Sequence, residues 1–258
     1  IGIGQGMELN SIVQSIEKGI GNTLGFLVMI LGLGAMLGKL VADSGAAQKI
    51  TNGLIQLFGV KNTRAAVMLT GFIVGVTMFY SVGFVILVPL VFTVAAATGL
   101  SLISIALPML AALSVTHGFL PPHPAPSALA VMFEADMGKT LIYGVLVAIP
   151  AILISGPVLT KLIPKVEAKP LKEFMTTKVF SEEELPSFST SIVTALLPVL
   201  LIAFSTLTLT FLPLEGVWIS IIKFIGNPVI ALLLSVLVGT YTLGIARGLP
   251  MDGVMKIY

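Results

Sequence analysis

Apolar residues run along this chain in long blocks separated by short polar segments, and six of the blocks predict membrane-embedded helices. The blocks are residues 21–40, 65–99, 101–132, 140–158, 192–212 and 228–244. A helix needs about 20 consecutive apolar residues to cross the hydrocarbon core of a bilayer. The pattern does not fit a transmembrane barrel, whose strands alternate apolar and polar residues over about ten positions. We therefore predict an all-α, polytopic transmembrane protein.

Two of these blocks do not fit one straight helix. Residues 65–99 are too long for a single crossing and too short for two, and they are interrupted near residues 78–83. We expect a re-entrant helical hairpin or one strongly broken helix there, because irregular backbone at membrane depth must be shielded by protein or line a water-filled cavity. Residues 101–132 are similar in length and are interrupted at residues 114–126.

The second interruption, residues 114–126, is the most unusual part of the sequence, and we call it the proline break. It lies within a run of 69 residues, 65–133, that contains no Asp, Glu, Lys or Arg. It also holds both histidines of the chain, His117 and His123. Its helix-breaking residues are Pro121, Pro122, Pro124 and Pro126. Proline lacks a backbone donor and disfavours helix in the residue before it, so we expect the helix to unwind between residues 118 and 126.

Unwound segments of this kind form substrate and ion sites near the bilayer midplane of transporters. The candidate substrate-binding residues lie within the two interruptions and are Ser114, Thr116, His117, Gly118, Tyr80, Ser81 and Gly83. His117 and His123 are the candidate proton-coupling residues, because imidazole titrates near neutral pH. Two simpler interpretations stay open. The proline break would be a kinked helix end with solvated histidines, and the first interruption a glycine-containing kink with Tyr80 in an aromatic belt.

The segments that flank the blocks predict the orientation of the chain. The basic residues around the first connection are Lys39, Lys49, Lys61 and Arg64. Residues 161–187 form a hydrophilic segment with five lysines and five glutamates, which we interpret as a solvated loop. Positively charged residues concentrate on the cytoplasmic side, so we place both regions in the cytoplasm. Residues 7–20 have apolar positions at helical spacing and predict an amphipathic helix at the membrane interface.

We divide the chain into a first transmembrane unit at residues 1–160, a hydrophilic loop at residues 161–189 and further spans at residues 190–258. Residues 6–13 resemble residues 248–255 without gaps. Residue 247 is expected on the cytoplasmic side. Counting the predicted spans backward from it places residue 6 on the opposite side of the membrane, as an inverted repeat requires. We therefore expect the chain to hold about one repeat and the start of a second.

The composition narrows the classes of function. Hydrophobic residues make up 56% of the chain and charged residues 10%, against about 25% charged residues in soluble domains. The chain has no cysteine for disulfides, thiolate catalysis or zinc, no histidine pair at metal-binding spacing and no phosphate-binding GxxxxGK[ST] loop. Its charge-free core also lacks the paired acids of an intramembrane enzyme. We predict a membrane protein that is not an enzyme, needs no metal or cofactor and binds no nucleic acid.

The proline break also carries a resemblance to a known family. Residues 112–124, ALSVTHGFLPPHP, resemble the signature region of the gluconate permease family. Four further segments resemble that family in the same order, namely residues 31–39, 84–92, 135–140 and 180–188. The resemblance covers essentially the whole chain, and it is specific for the family but not for the substrate.

This resemblance implies a secondary transporter of the bacterial inner membrane with inverted repeats and paired re-entrant hairpins. It implies proton-coupled symport of gluconate or a related sugar acid, so the partners would be a small organic anion, protons and the lipid bilayer. A homo-oligomer stays open. Members of the family are much longer than 258 residues, so we expect an N-terminal piece and most of the C-terminal half to lie outside this sequence.

One departure from the family pattern bears on the coupling ion. Many members of the family have an acidic residue after the aromatic pair, where this chain has Ser81. If that acid takes part in proton coupling, His117 or His123 would replace it here, or the coupling ion differs. The alternative transporter is therefore a sodium-coupled carboxylate or D-serine-like symporter. The alternative from another class of protein is a membrane scaffold protein that transports nothing.

Overall fold

The computed structural model describes residues 1–163 and 180–258, and every regular element among them is helical. Six of the described helices are long and apolar enough to cross a membrane, which confirms the prediction of an all-α, polytopic transmembrane protein. The α-helices are α1 (Leu9–Asp43), α2 (Ala46–Phe58), α3 (Thr63–Gly75), α4 (Tyr80–Thr98), α5 (Leu102–Phe119), α6 (Pro124–Met132), α7 (Met137–Leu153), α8 (Leu159–Leu162), α9 (Phe188–Phe211), α10 (Val217–Ile225), α11 (Pro228–Gly239) and α12 (Met251–Met255).

Not every span is a plain α-helix, and one connection between spans is itself helical. The crossing by α7 continues through a π-helical turn at Ile154–Val158 into α8, so that Met137–Leu162 forms one span. Proline at position 157 has no N–H for the regular helical ladder, and π turns occur where that ladder is disturbed. The predicted turn between the last two spans contains the nine-residue helix α10.

Helix α1 is continuous over 35 residues, a length of about 52 Å. The predicted helix at residues 7–20 is present, but it is the first part of α1 and not a helix of its own, and its position at the membrane interface stays a prediction. Apolar spacing is the same in both arrangements, and no proline follows residue 20 to end the helix. Leu9, Val13, Ile16 and Ile20 keep the predicted helical spacing and are exposed.

Helices α3 and α4 form a helical hairpin rather than one broken helix, and its re-entrant position in the membrane stays a prediction. Residues 76–79 separate the two helices, and we call them the hairpin tip. Along α3, Gly71 and Gly75 face Met109 and Leu113 of α5 in turn, so α3 runs parallel to α5. Helix α4 is joined to α5 by a short connection, and its Gly83 also faces Leu113. Helix α4 therefore runs antiparallel to both and returns to the end of the bundle where α3 begins.

The proline break divides one crossing into α5 and α6, with a turn at residues 120–123. Pro121 and Pro122 are buried in this turn and are joined by a cis peptide bond. Pro124 and Pro126 instead lie in the first turn of α6. The first-turn N–H groups of a helix have no partner within the helix, so proline loses no hydrogen bond there. These two prolines therefore begin a helix rather than interrupt one.

Helix α9 defines the two faces of the bundle. Its first residue, Phe188, packs on α2 at Gly53, where an added Cβ would lie 2.3 Å from the phenylalanine ring. Its last residue, Phe211, lies about 35 Å farther along the helix. We call the end that holds α2 the α2 face and the other end the far face. The turn from α2 to α3, with Lys61, lies on the α2 face, and its assignment to the cytoplasm stays a prediction.

The end of the hydrophilic loop is held against α2. The Gln48 side chain donates to the Phe180 carbonyl at 2.9 Å and accepts from the Phe180 N–H at 3.1 Å. The Lys49 ammonium pairs with the Glu182 carboxylate at 2.7 Å, and Asn52 donates to the same carboxylate at 3.2 Å. The predicted solvated loop is thus anchored at its C-terminal end, and its residues 164–179 lie outside the described residues.

One backbone turn occurs twice, at positions that the sequence similarity aligns. A 3-10 turn at Ile3–Gln5 is followed by Gly6 with φ of 75°, and another at Ile245–Arg247 is followed by Gly248 with φ of 83°. Only glycine adopts such positive φ without strain. In both copies a helix begins three residues after the glycine, α1 in the first and α12 in the second.

The two copies of this turn lie at opposite ends of α1. The first directly precedes α1, whereas Arg247 in the second donates to the carbonyl of Ser44, just beyond the C-terminal end of α1, at 2.9 Å. Copies at opposite ends of a membrane-crossing helix are what an inverted repeat requires. The recurrence supports the predicted inverted repeat, which stays a prediction, as does the division of the chain into three parts.

Candidate functional site

The hairpin tip and the proline break meet around one phenylalanine. The ring centroid of Phe79 lies 5.9 Å from that of His117 and 6.4 Å from that of His123. The two imidazole centroids are 4.6 Å apart, with the rings inclined at 63°. Two interruptions that are separated by some 35 residues of helix in the sequence therefore form one cluster in the fold.

His123 is buried and tied to the hairpin. Only 5% of its surface is exposed, and its Nε2 lies 2.6 Å from the carbonyl oxygen of Gly75, the last residue of α3. Because a carbonyl can only accept, Nε2 carries the hydrogen and donates it. The free space beside His123 is about 10 Å³, enough for one water molecule at most. In this arrangement His123 anchors the hairpin and has no room beside it for a larger solute.

His117 differs from His123 in having an unpaired nitrogen. The residue is partly exposed, and its enclosed Nδ1 has no hydrogen-bond partner among the described residues. Ser127, near the start of α6, is fully buried, and its hydroxyl also lacks a partner there. Buried polar groups in native proteins are nearly always paired. Both groups therefore have unused hydrogen-bonding capacity at the proline break.

Four of the other candidate residues are accessible. Ser114 and Gly118 are exposed on α5, four residues apart and therefore on the same side of the helix. Ser81 is exposed and Tyr80 partly exposed at the start of α4, directly after the hairpin tip. These residues can present hydroxyl and backbone groups to a solute that reaches the tip.

Thr116 and Gly83 are instead buried where the hairpin packs on α5. The Thr116 hydroxyl lies 3.0 Å from the Ala112 carbonyl and 2.9 Å from the Leu113 carbonyl and donates within α5 itself. An added Cβ on Gly83 would lie 2.8 Å from the Leu113 side chain. In this arrangement Thr116 and Gly83 allow the hairpin to approach α5 closely.

Sequence reasoning missed two contributors to this cluster. The Gly75 carbonyl gave no signal, because a glycine in an apolar helix does not reveal that the helix ends there and that its carbonyl faces a histidine. Ser127 did give one. A hydroxyl that directly follows the proline-rich stretch inside a charge-free run has no solvent to pair with.

No charged side chain takes part in the cluster among the residues that the structure describes. The two ion pairs found in those residues, Lys39 with Asp43 at 2.5 Å and Lys49 with Glu182 at 2.7 Å, lie around α2. Hydrogen bonds from Lys49 and Asn52 lower the pKa of the Glu182 carboxyl. Within the described ranges no group of three or more His, Asp or Glu side chains is arranged to hold a metal ion. Hydroxyls, imidazoles and helix ends are the binding groups that this site offers.

The comparisons with known proteins agree on one family. Residues 1–258 match the family described as GntP family permease. The chain is 49% identical over 253 residues to a high-affinity gluconate transporter of Escherichia coli K12, with 98% of the chain and 58% of that protein covered. It is 46% identical over 257 residues to the L-idonate transporter of the Gnt-II system of the same strain, with 100% and 58% covered.

A third relative comes from another bacterium. The chain is 44% identical over 267 residues to a gluconate permease of Bacillus subtilis 168, with 99% of the chain and 59% of that protein covered. The chain thus spans less than two thirds of the length of the relatives it matches. No solved structure matches it significantly.

Proposed function

This chain belongs to the GntP family of permeases, and we propose that the multi-pass inner-membrane protein containing it takes up gluconate or a related sugar acid in symport with protons. Relatives named for gluconate and for L-idonate are both close to it, at 49% and 46% identity. The proposed substrate class is therefore the six-carbon polyhydroxy acids. The protein acts as a carrier and carries out no chemical step on its substrate.

The observation that supports this function best is the contact between the hairpin tip and the proline break inside a charge-free core. A carboxylate and its hydroxyl groups would be bound there by side-chain hydroxyls, backbone amides and helix ends. Binding by these neutral groups avoids burying a full positive charge at the bilayer centre, which would cost about 2.5–3.5 kcal/mol. The proposed substrate-binding residues are Ser114, Thr116, His117, Gly118, Tyr80, Ser81 and Gly83, the buried Thr116 and Gly83 acting through the packing of the hairpin.

The two histidines take different parts in the proposed proton coupling. His117 is partly exposed and has an unpaired Nδ1, so it is the residue that takes up and releases the proton. The hydrogen on His123 Nε2 is already committed to the Gly75 carbonyl. His123 contributes by holding the end of α3, and with it the hairpin tip, at the proline break. Its own ring also lies beside the ring of His117.

Uptake by liposomes that contain the purified full-length protein tests this function. The labelled panel is gluconate, idonate, a hexuronate, D-serine and citrate, each offered with an imposed proton gradient or an imposed sodium gradient. We expect gluconate or idonate to accumulate with the proton gradient and not with the sodium gradient. Accumulation that follows sodium alone would favour a sodium-coupled carboxylate carrier, and preference for D-serine would change the substrate class.

The alternative from another class is a scaffold protein without transport activity. Counterflow separates the two. In liposomes preloaded with unlabelled gluconate, a carrier exchanges the internal gluconate for labelled external gluconate without any imposed ion gradient. Counterflow in protein-containing liposomes and none in protein-free liposomes supports the carrier. Equal signals in both, for every member of the panel, would favour the scaffold.

A further inference from the structure

A cavity of about 660 Å³ lies away from the histidines, between α4 and the corner where α1 passes into α2. Small-molecule sites usually have volumes of about 300–1,000 Å³. Its lining includes Val85, Pro89 and Thr93 from α4 and Asp43, Gln48 and Asn52 from the corner. None of these residues belongs to the candidate site, so the cavity needs an explanation of its own.

The cavity runs along α4 toward the hairpin tip. Val85, Pro89 and Thr93 are four residues apart and lie on one side of the helix. Ser81 precedes Val85 by four residues, so it lies about 6 Å farther along the helix, on the adjoining part of the same side. At its other end the cavity reaches α2. It therefore extends from the α2 face along α4 as far as Val85, about one helical turn short of Ser81.

The lining is mainly apolar, with a few polar side chains, and it offers an anion no unpaired cation. Asp43 is paired with Lys39 at 2.5 Å. Both ends of the Gln48 amide are used by the backbone of Phe180. The Thr93 hydroxyl donates to the carbonyl four residues before it, at 3.1 Å. A permeation path must admit its solute yet hold it weakly enough for release, and this lining meets that condition better than a tight binding site would.

The opposite side of the hairpin tip is closed. There Phe79 and His123 pack against Gly34 of α1 and Leu232 of α11, and the remaining space is about 10 Å³. A six-carbon acid at the tip could therefore not pass beside His123. The cavity along α4 is the larger space near the candidate site among the described residues.

We propose that this cavity is the vestibule through which the sugar acid passes between the hairpin tip and the α2 face, and that the structure is the state open to that face. The inference rests on the proposed function and adds the route and the conformational state. It assigns Thr93, Val85 and Asn52 to the walls of that route.

Cysteine labelling tests the vestibule in the full-length protein. Residues 1–258 contain no cysteine, so only cysteines elsewhere in the protein need to be replaced. Thr93→Cys places a thiol in the cavity wall, and Lys61→Cys marks the α2 face. Thr210→Cys is the matched control, because Thr210 is also exposed and also donates to the carbonyl four residues before it, but lies near the far face. The probe is an anionic, membrane-impermeant methanethiosulfonate, applied to vesicles of either orientation.

We expect Thr93→Cys to react from the same side as Lys61→Cys, and Thr210→Cys to react only from the other side. Saturating gluconate should slow the reaction at Thr93→Cys and leave Lys61→Cys unaffected. No reaction at Thr93→Cys from the Lys61 side would mean that lipid or protein fills the cavity, and would overturn the inference. A reaction that gluconate does not slow would place the cavity off the route and would also overturn it.

Gluconate counterflow by the unmodified protein separates this inference from the proposed function. If counterflow is present and Thr93→Cys fails the labelling test, the vestibule is wrong and the function stands. If the unmodified protein shows no counterflow, the proposed function fails first.

Discussion

Replacing Gly71 with alanine tests how the hairpin is held in place. Gly71 of α3 faces the backbone of α5, where an added Cβ would lie 2.4 Å from the carbonyl oxygen of Met109. Ordinary contacts of a Cβ atom begin at 3.4 Å, so α3 and α5 would have to separate by about 1 Å. A carbonyl in a helix cannot rotate away as a side chain would. Overpacking of this kind costs about 1–3 kcal/mol of unfolding free energy.

Gly32→Ala is the matched control, because a Cβ on Gly32 of α1 meets nothing within 4 Å. Alanine is favoured over glycine inside a helix by about 1 kcal/mol, so this variant should be as stable as the parent protein or more so. The assay is thermal unfolding of the full-length protein in detergent, followed by gluconate counterflow in liposomes. We expect Gly71→Ala to unfold at a lower temperature and to exchange gluconate more slowly, because the hairpin tip moves with α3. Equal unfolding temperatures for the two variants would refute the close packing of α3 on α5.

Three further predictions concern single contacts. The hydrogen bond from Lys49 lowers the pKa of Glu182 in the folded protein, so ionised Glu182 stabilises the fold near pH 7 and loses this effect as pH falls below about 4. Glu182→Gln should therefore lower the unfolding temperature at pH 7 and have a smaller effect at about pH 3. Arg247→Met removes donors to two backbone carbonyls and should lower the unfolding temperature. Arg247→Lys should unfold at a temperature between those of Arg247→Met and the parent, because an ammonium lacks the guanidinium fork. His123→Phe removes the donor to the Gly75 carbonyl and should cost about 1–3 kcal/mol of unfolding free energy, whereas His123→Gln, which keeps an N–H donor, should lose less.

Each of these predictions has a clear contrary result. A Glu182→Gln effect that is the same at both pH values would show that the contact does not depend on ionisation. Arg247→Lys as stable as the parent would mean that the two carbonyls do not need the fork. His123→Phe and His123→Gln with equal stability would show that the hydrogen bond to Gly75 does not hold the hairpin.

The two interruptions were predictable from sequence because their causes are local. The prolines after His117 remove donors wherever they stand, and a block of 35 apolar residues is too long for one crossing in any fold. The choice between a hairpin and a broken helix was not local. It depended on Gly75 and Gly83 both facing Leu113, a contact between segments far apart in the sequence.

The continuous α1 and the anchored end of the hydrophilic loop are features that the local sequence pattern could not predict. Residues 7–20 have the periodicity of a surface helix, and the same periodicity fits an extension of the next span, so local pattern could not separate the two. The run of glutamates after residue 181 is typical of a solvated loop. Its attachment to Lys49 and Asn52 depends on partners about 130 residues away, which composition cannot reveal.

The central claim is that His117, at the contact between the hairpin tip and the proline break, couples proton entry to sugar-acid uptake. Gluconate accumulation in liposomes with an imposed proton gradient, compared between the full-length protein and its His117→Asn variant, tests it most directly. We predict that the unmodified protein accumulates gluconate and loses the gradient-driven part when a protonophore is added. The variant should still exchange gluconate in counterflow but should not accumulate it. Equal proton-driven accumulation by both proteins would contradict the claim.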